Sequence, residues 1–224
     1  MSFHFIHPCT MIVSGPTGCG KTHFISEVIK HQRFMPMPSG KWLWIYGQYQ
    51  ADEYDQHKEI EFDFIKDGLD DTDISECFDP TKTNLLIIDD QMEKVLENKM
   101  VSKLFTQGSH HRNLSVILLI QNLFAQGRKM RDIGLNTQYN VVFRNPRDRA
   151  QIRILGQQMY PTSPNFILEC FEDATRDPYG YLIINNHSSI EGEEYRVCTD
   201  IFNSQSPVYY VPRSVVYEKY QPLL

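Results

Sequence analysis

Chemistry is densest in one stretch of the chain, Gly15-Pro16-Thr17-Gly18-Cys19-Gly20-Lys21-Thr22. The glycines let the backbone bend so that successive N–H groups converge on an anion. A helix opening near Gly20 would add its positive end. At this spacing Lys21 reaches the β- and γ-phosphates of a nucleotide, and the Thr22 hydroxyl can ligate Mg²⁺. The stretch is therefore expected to hold ATP and Mg²⁺, with Gly15, Pro16, Thr17, Gly18, Cys19, Gly20, Lys21 and Thr22 lining the phosphates. Cys19 contributes either only its backbone or, in electropositive surroundings, an activated thiol.

A second set of polar groups sits at the ends of apolar runs. Leu85-Leu86-Ile87-Ile88 ends in Asp89-Asp90. Next to a phosphate loop, Asp89 would face the Mg²⁺ held by Thr22, and Asp90 would orient and deprotonate an attacking water. Standing alone, the pair is equally a solvated strand-end turn. Val116-Ile117-Leu118-Leu119-Ile120 ends in Gln121-Asn122. A polar residue there stands in the crevice where open α/β sheets bind ligands, so Gln121 could contact the γ-phosphate or the lytic water. That combination points to water-activating ATP hydrolysis and away from a nucleotide kinase.

The elements that must position these groups follow from hydrophobic periodicity. Apolar strands are expected at Cys9–Ser14, Trp42–Tyr46, Leu85–Asp89, Val116–Gln121, Tyr139–Phe143 and Tyr179–Asn185, with Tyr195–Thr199 as a further partner. Helices are expected at Lys21–Gln32, near Glu93–Thr106, at Asp148–Gln157 and at Asn165–Ala174. The acidic region from Asp52 to Asp79 reads as loop, short helix and an edge strand. Buried strands separated by helices imply an α/β fold, a mainly parallel sheet with helices on both faces. Residues 1–200 are expected to form this one domain. Residues 201–224 are Pro- and Tyr-rich and read as a tail, which docks on a neighbouring subunit or back on its own domain.

Composition narrows the class. The 224 residues are 41% hydrophobic and 22% charged, ordinary for a globular chain and unlike a disordered or collagenous one. Five widely spaced cysteines without a C-x-x-C pair argue for a reduced compartment and against a zinc site. No secretory signal and no membrane-length apolar run is visible, so the expected setting is intracellular, nucleus or cytoplasm, without a membrane. The net charge of −6 is unevenly spread: +3 over residues 1–50, −11 over 51–100, +7 over 101–153 and −5 over 154–224. The basic part holds Arg128, Lys129 and Arg131, suited to sequence-independent phosphate contacts on double-stranded DNA. The same charges are equally suited to pairing with the acidic region of this or a neighbouring subunit.

The order of phosphate loop, Leu85-Leu86-Ile87-Ile88-Asp89-Asp90, then His110-His111-Arg112-Asn113-Leu114-Ser115 leading to Gln121-Asn122-Leu123-Phe124 resembles the FtsK–HerA group of P-loop ATPases. Within that group it is most similar to the genome-packaging ATPases of Polinton/Maverick elements and adintoviruses, relatives of the poxvirus packaging ATPase. Ile133 to Asn136 and Val141 to Asp148 extend the likeness, which spans about residues 8–185. It implies an additional-strand P-loop core assembled as a hexameric or pentameric homo-oligomeric ring around double-stranded DNA. It also implies ATP hydrolysis coupled to threading a viral genome into a capsid, with capsid vertex proteins as candidate partners. The chain departs from many relatives in carrying Asp90 where they have Glu. A ring asks for an arginine acting in trans. By resemblance this is Arg112, with Arg131 and Arg144 as the other candidates. Two further readings stay open: a nucleoside or nucleotide kinase, and a nucleotide-gated assembly protein that does not hydrolyse. A GTPase is disfavoured, because Asn98-Lys99 is followed by Met100 and Val101 and not by the x-D of a guanine-reading motif.

Overall fold

The computed structural model describes residues 3–47, 62–66, 77–89, 101, 103–105, 112–122, 128–190, 192–202 and 206–213, with backbone alone for 62, 64–66, 128 and 129. Its centre is a sheet whose strands, in chain order, are β2 (Thr10–Ser14), β4 (Trp42–Tyr46), β5 (Phe62–Lys66), β6 (Asn84–Asp89), β7 (Leu114–Ile120), β8 (Tyr139–Phe143), β9 (Tyr181–Asn185), β10 (Val197–Thr199) and β11 (Val208–Tyr210). Their spatial order is β5-β4-β6-β7-β2-β8-β9-β10-β11. From β5 to β8 every pairing is parallel; β9, β10 and β11 extend that end of the sheet as antiparallel neighbours. The order puts β7 between β2 and β6, so one strand is inserted between the phosphate-loop strand and the Asp89 strand. This is the additional-strand layout.

Alternation along the strands splits the core into two layers. Met11 and Val13, Trp42 and Trp44, Leu85 and Ile87, and Ile117 and Leu119 share one face with Phe24, Ile25, Val28 and Ile29 of helix α1 (Lys21–Lys30). Those four recur at helical spacing, which is why the stretch after the loop forms an amphipathic helix. On the other face, Ile12, Leu43, Leu86, Val116 and Leu118 meet Met130 and Ile133 of helix α2 (Arg128–Leu135). Further along that face Val142, Leu182 and Ile184 meet Ile152 of α3 (Arg149–Met159) and Ile167, Cys170 and Phe171 of α4 (Phe166–Ala174). Strands buried on both faces carry near-continuous apolar sequence, as parallel sheets require.

Three features differ from the sequence expectation. Phe5–Ile6 (β1) and Phe34–Met35 (β3) form a small parallel pair outside the main sheet, too short to leave a periodic signal. Val208–Tyr210, expected as tail, joins the sheet as β11 in antiparallel register with β10. Arg128 to Leu135, which is not among the helices expected from periodicity, is helical, because Met130 and Ile133 bury one side of it. The edge strand expected in the acidic region is β5, where Lys41 pairs with Asp63 at 2.9 Å. Most of the helix expected near Glu93–Thr106 lies outside the described residues. No helix among the described residues is long and apolar enough to cross a membrane.

Candidate functional site

The phosphate loop leaves the carboxyl end of β2 in the middle of the sheet, with Ser14 in register with Ile120 on one side and Val142 on the other. Gly15 donates its N–H to the Ile120 carbonyl at 3.1 Å, which fastens the loop to the end of β7. Gly15, Gly18 and Gly20 have φ of +157°, +77° and +101°. Gly18 and Gly20 thus lie in the left-handed region where a Cβ is disfavoured. Gly15 has a further reason to lack a side chain: a Cβ there would stand 2.7 Å from Phe143 Cβ. Gly15 is buried, Thr17 and Gly18 form the exposed crest, and Pro16, Cys19 and Gly20 are half-buried. Gly20 is the residue immediately before α1, so the helix begins directly beneath the loop.

Lys21 folds back over this loop. Its Nζ donates to the Gly15 carbonyl at 2.7 Å and the Pro16 carbonyl at 3.1 Å. An ammonium held only by two carbonyls of a loop built to present N–H groups is a cation poised to exchange them for anionic oxygens. Beside it, Thr22 Oγ1 donates to Asp89 Oδ2 at 3.2 Å across the gap between α1 and β6. Both residues are buried, at 8% and 3% exposure. A hydroxyl and a carboxylate in contact, next to a triphosphate-sized cradle, are the hard oxygen donors that suit Mg²⁺. The residues present therefore fit both ATP and Mg²⁺.

Gln121 follows Ile120 at the carboxyl end of β7 and is exposed. Asp89 ends β6 on one side of that strand, in register with Leu119, and the loop leaves β2 on the other. Lys21, Thr22, Asp89 and Gln121 thus converge on one edge of the sheet. Asp90 lies outside the described residues. Arg112 is at the opposite edge: it precedes β7, its carbonyl accepts a bond from Asn84 Nδ2 at 3.4 Å, and its side chain is half-buried. Seven residues of strand at ~3.3 Å each place it about 20 Å from the loop of its own chain. Arg144 follows β8 at the loop's edge, exposed, and donates to the Arg176 carbonyl at 3.4 Å. Arg131 is exposed on α2; the side chains of Arg128 and Lys129 lie outside the described structure.

Activation of Cys19 is not what the loop achieves. Burial raises its pKa, and the opposing pull of Lys21 is the smaller effect. A residue the sequence reading passed over lies against the loop: a Cβ on Gly20 would meet the Tyr179 ring, with Cδ1 at 3.2 Å. Tyr179 precedes β9, far away in sequence. Its one local signal is Asp177-Pro178-Tyr179-Gly180, a turn sequence with a tyrosine where a glycine would be usual.

By sequence, no known protein family matches the chain, and no curated protein does either. Solved structures do. The DNA-packaging ATPase of Sulfolobus turreted icosahedral virus aligns over 91% of this chain and 97% of its own, with TM-score 0.53 and 14% identity. The genome packaging NTPase of Sulfolobus turreted icosahedral virus 2, in complex with ATP-gammaS, aligns over the same shares with TM-score 0.52 and 14% identity. The cytoplasmic domain of the Type VII secretion ATPase EccC of Thermomonospora curvata aligns over 86% of this chain but 26% of its own, with TM-score 0.51 and 10% identity. At such identities the likeness is one of fold: a mainly parallel α/β sheet flanked by helices, as in these P-loop ATPases.

Proposed function

We propose that this chain is an ATP-driven double-stranded DNA translocase that packages a viral or virus-like genome into a capsid. The observation that carries the reading is the convergence of Lys21, Thr22, Asp89 and Gln121 on one sheet edge. Support comes from the fold, which aligns with that of a viral DNA-packaging ATPase over 91% of this chain. The loop amides and Lys21 bind the triphosphate, Lys21 leaving the Gly15 and Pro16 carbonyls to do so. Thr22 and Asp89 hold Mg²⁺, which when bound neutralises phosphate charge and aligns the β- and γ-phosphates. Gln121 contacts the γ-phosphate or the attacking water, and Asp90, one residue beyond Asp89, takes the proton from that water.

Arg112 acts in trans in this reading. A place about 20 Å from the loop of its own chain supports service to a neighbouring subunit's site over its own. Subunits form a homo-oligomeric ring, hexamer or pentamer, steered by the −11 and +7 segments. Arg128, Lys129 and Arg131 are the DNA phosphate contacts in this reading, on the helix that comes next among the described elements after the Gln121 strand. The ring works inside a host cell, in nucleus or cytoplasm, against a capsid vertex. Within the packaging ATPases the Polinton/Maverick and adintovirus branch is the favoured placement, on the sequence resemblance.

Steady-state ATP hydrolysis tests this, measured with and without duplex DNA, across protein and salt concentration. DNA should stimulate turnover, and the rate per subunit should rise with concentration. Lys21→Ala should abolish turnover, and trace Arg112→Ala should poison wild-type rings. Turnover indifferent to DNA and to concentration would sink the translocase reading.

A further inference from the structure

A phosphate cradle reads charge and leaves the nucleoside unattended: neither the loop amides nor Lys21 can hold a base. The residue that leans on the cradle from outside is Tyr179, whose ring would stand 3.2 Å from a Cβ on Gly20. Two properties of Tyr179 are not explained by core packing. Its φ is +64°, a left-handed conformation that a bulky side chain adopts at a cost. Its side chain is 69% exposed, so that cost is not offset by burial in the core.

The turn around it shows how the conformation is imposed. Gly180 donates its N–H to the Asp177 carbonyl at 3.1 Å, closing a four-residue turn with Pro178 second and Tyr179 third. Proline second and a positive φ third is the pattern that normally selects glycine at the third position. Here glycine comes one residue later, where a Cβ would run into the Ala174 carbonyl. Arg144 ties the preceding loop to β8 through the Arg176 carbonyl. Phe143 also approaches Gly20, with Cε1 3.6 Å from such a Cβ, but it is only 2% exposed and serves as the floor. The other exposed tyrosine among the described residues, Tyr195, meets Tyr209 edge-on at 5.4 Å; Tyr179 meets no ring among them. A rigid loop thus presents an open aromatic face at the side of the cradle.

We propose that Tyr179 is the stacking platform for the nucleoside part of the nucleotide bound at Gly15–Thr22. The proposal rests on the reading of that loop as a triphosphate cradle and extends it to the base. Stacking reads the π-face and not the hydrogen-bonding edge, so the site takes purine nucleoside triphosphates with little choice between adenine and guanine.

The test compares Kd values for MgATP and for inorganic tripolyphosphate with Mg²⁺ in wild type, Tyr179→Phe, Tyr179→Ala and Tyr179→Gly. Loss of a base–aromatic stack should weaken MgATP roughly 5- to 100-fold in the Ala and Gly variants. Tripolyphosphate should change by no more than about 2-fold, since the phosphate contacts persist. Tyr179→Phe should keep wild-type affinity for both. Tyr179→Gly should unfold at a urea concentration at least equal to wild type, because glycine relieves the positive φ. Unchanged MgATP affinity in Tyr179→Ala would overturn the proposal, and so would equal weakening of both ligands, which would make Tyr179 a support for the loop alone. Wild type that binds neither ligand would remove the cradle reading and the platform with it.

Discussion

Replacing Gly15 by alanine measures how closely the loop is seated on the sheet. The added Cβ would lie 2.7 Å from Phe143 Cβ and 2.7 Å from Cys19 Sγ, against about 3.5–4.0 Å for an ordinary contact. These two obstacles differ in kind. Cys19 can rotate its sulfur away. Phe143 Cβ is carried by the backbone of β8, which is locked in register between β2 and β9, so relief needs a shift of about 1 Å between loop and strand. Overpacking of that order costs about 1–3 kcal/mol. Alanine at φ +157° adds about 1 kcal/mol. The expected loss is therefore about 2–4 kcal/mol by equilibrium urea unfolding, together with weakened ATP binding by whatever remains folded. Paired variants separate the causes. Cys19→Ala in the Gly15→Ala background should recover part of the loss. Phe143→Ala keeps its Cβ, so it should recover nothing and add a cavity cost of about 3–4 kcal/mol. Gly15→Ala within about 0.5 kcal/mol of wild type, or full rescue by Phe143→Ala, would refute the seating argument.

Further outcomes are expected. Asp89→Asn should leave unfolding without nucleotide within about 1 kcal/mol of wild type, yet Mg²⁺ should no longer strengthen ATP binding in a titration with and without the cation. Thr22→Val removes the donor to Asp89 and should lower the Mg²⁺-dependent part of the affinity about 10-fold, as loss of one charge-assisted contact would. Burial raises the pKa of Asp148, whose carboxylate oxygens have no hydrogen-bond partner among the described residues. The folded state thus holds that proton more tightly, and the resulting stability is present below the unfolded value near ~3.9 and lost as pH rises through the folded pKa. Asp148→Asn should therefore gain relative to wild type as pH rises from 4 to 7, read from urea midpoints; a constant difference would count against it. In native thiol labelling Cys77, which is exposed, should react first. Cys9 and Cys170, both pushed up to about 12 by burial, should stay protected until unfolding, and Cys19 should be slow despite its position beside Lys21.

What was legible in the sequence was local, and the physics explains why. Trp42–Tyr46 and Tyr139–Phe143 were read with their observed bounds because strands buried on both faces are bounded runs of apolar residues, closed by polar ones. The phosphate loop was legible because its glycines answer backbone demands that the loop itself creates. Elements whose cause lies elsewhere in the chain were misread. Val208–Tyr210 is a strand because β10 offers it an edge; its short run between Pro207 and Pro212 stays half-exposed and shows no alternation that would mark a strand. Arg128 to Leu135 gives no helical signal because its charges outweigh two buried residues, and the apolar face that Met130 and Ile133 complete belongs to strands such as β2, β6 and β7.

The candidate site divides the same way. Asp89 and Gln121 end or follow an apolar strand, and Lys21 and Thr22 open the helix reached by the loop that leaves one, so the sheet delivers all four to one edge. Arg112 begins such a strand and is delivered by the same logic to the other edge, which is why a role in catalysis assigns it to a neighbouring subunit. Tyr179 follows neither route. It reaches Gly20 only because α3 and α4 turn the chain back so that β9 runs antiparallel beside β8, bringing its amino end to the carboxyl edge where the loop lies. A residue placed by that reversal has no spacing relation to the phosphate loop, and its positive φ is invisible in the residue names. Sequence motifs therefore locate the phosphates, while the base is met by a residue that the antiparallel end of the sheet carries in.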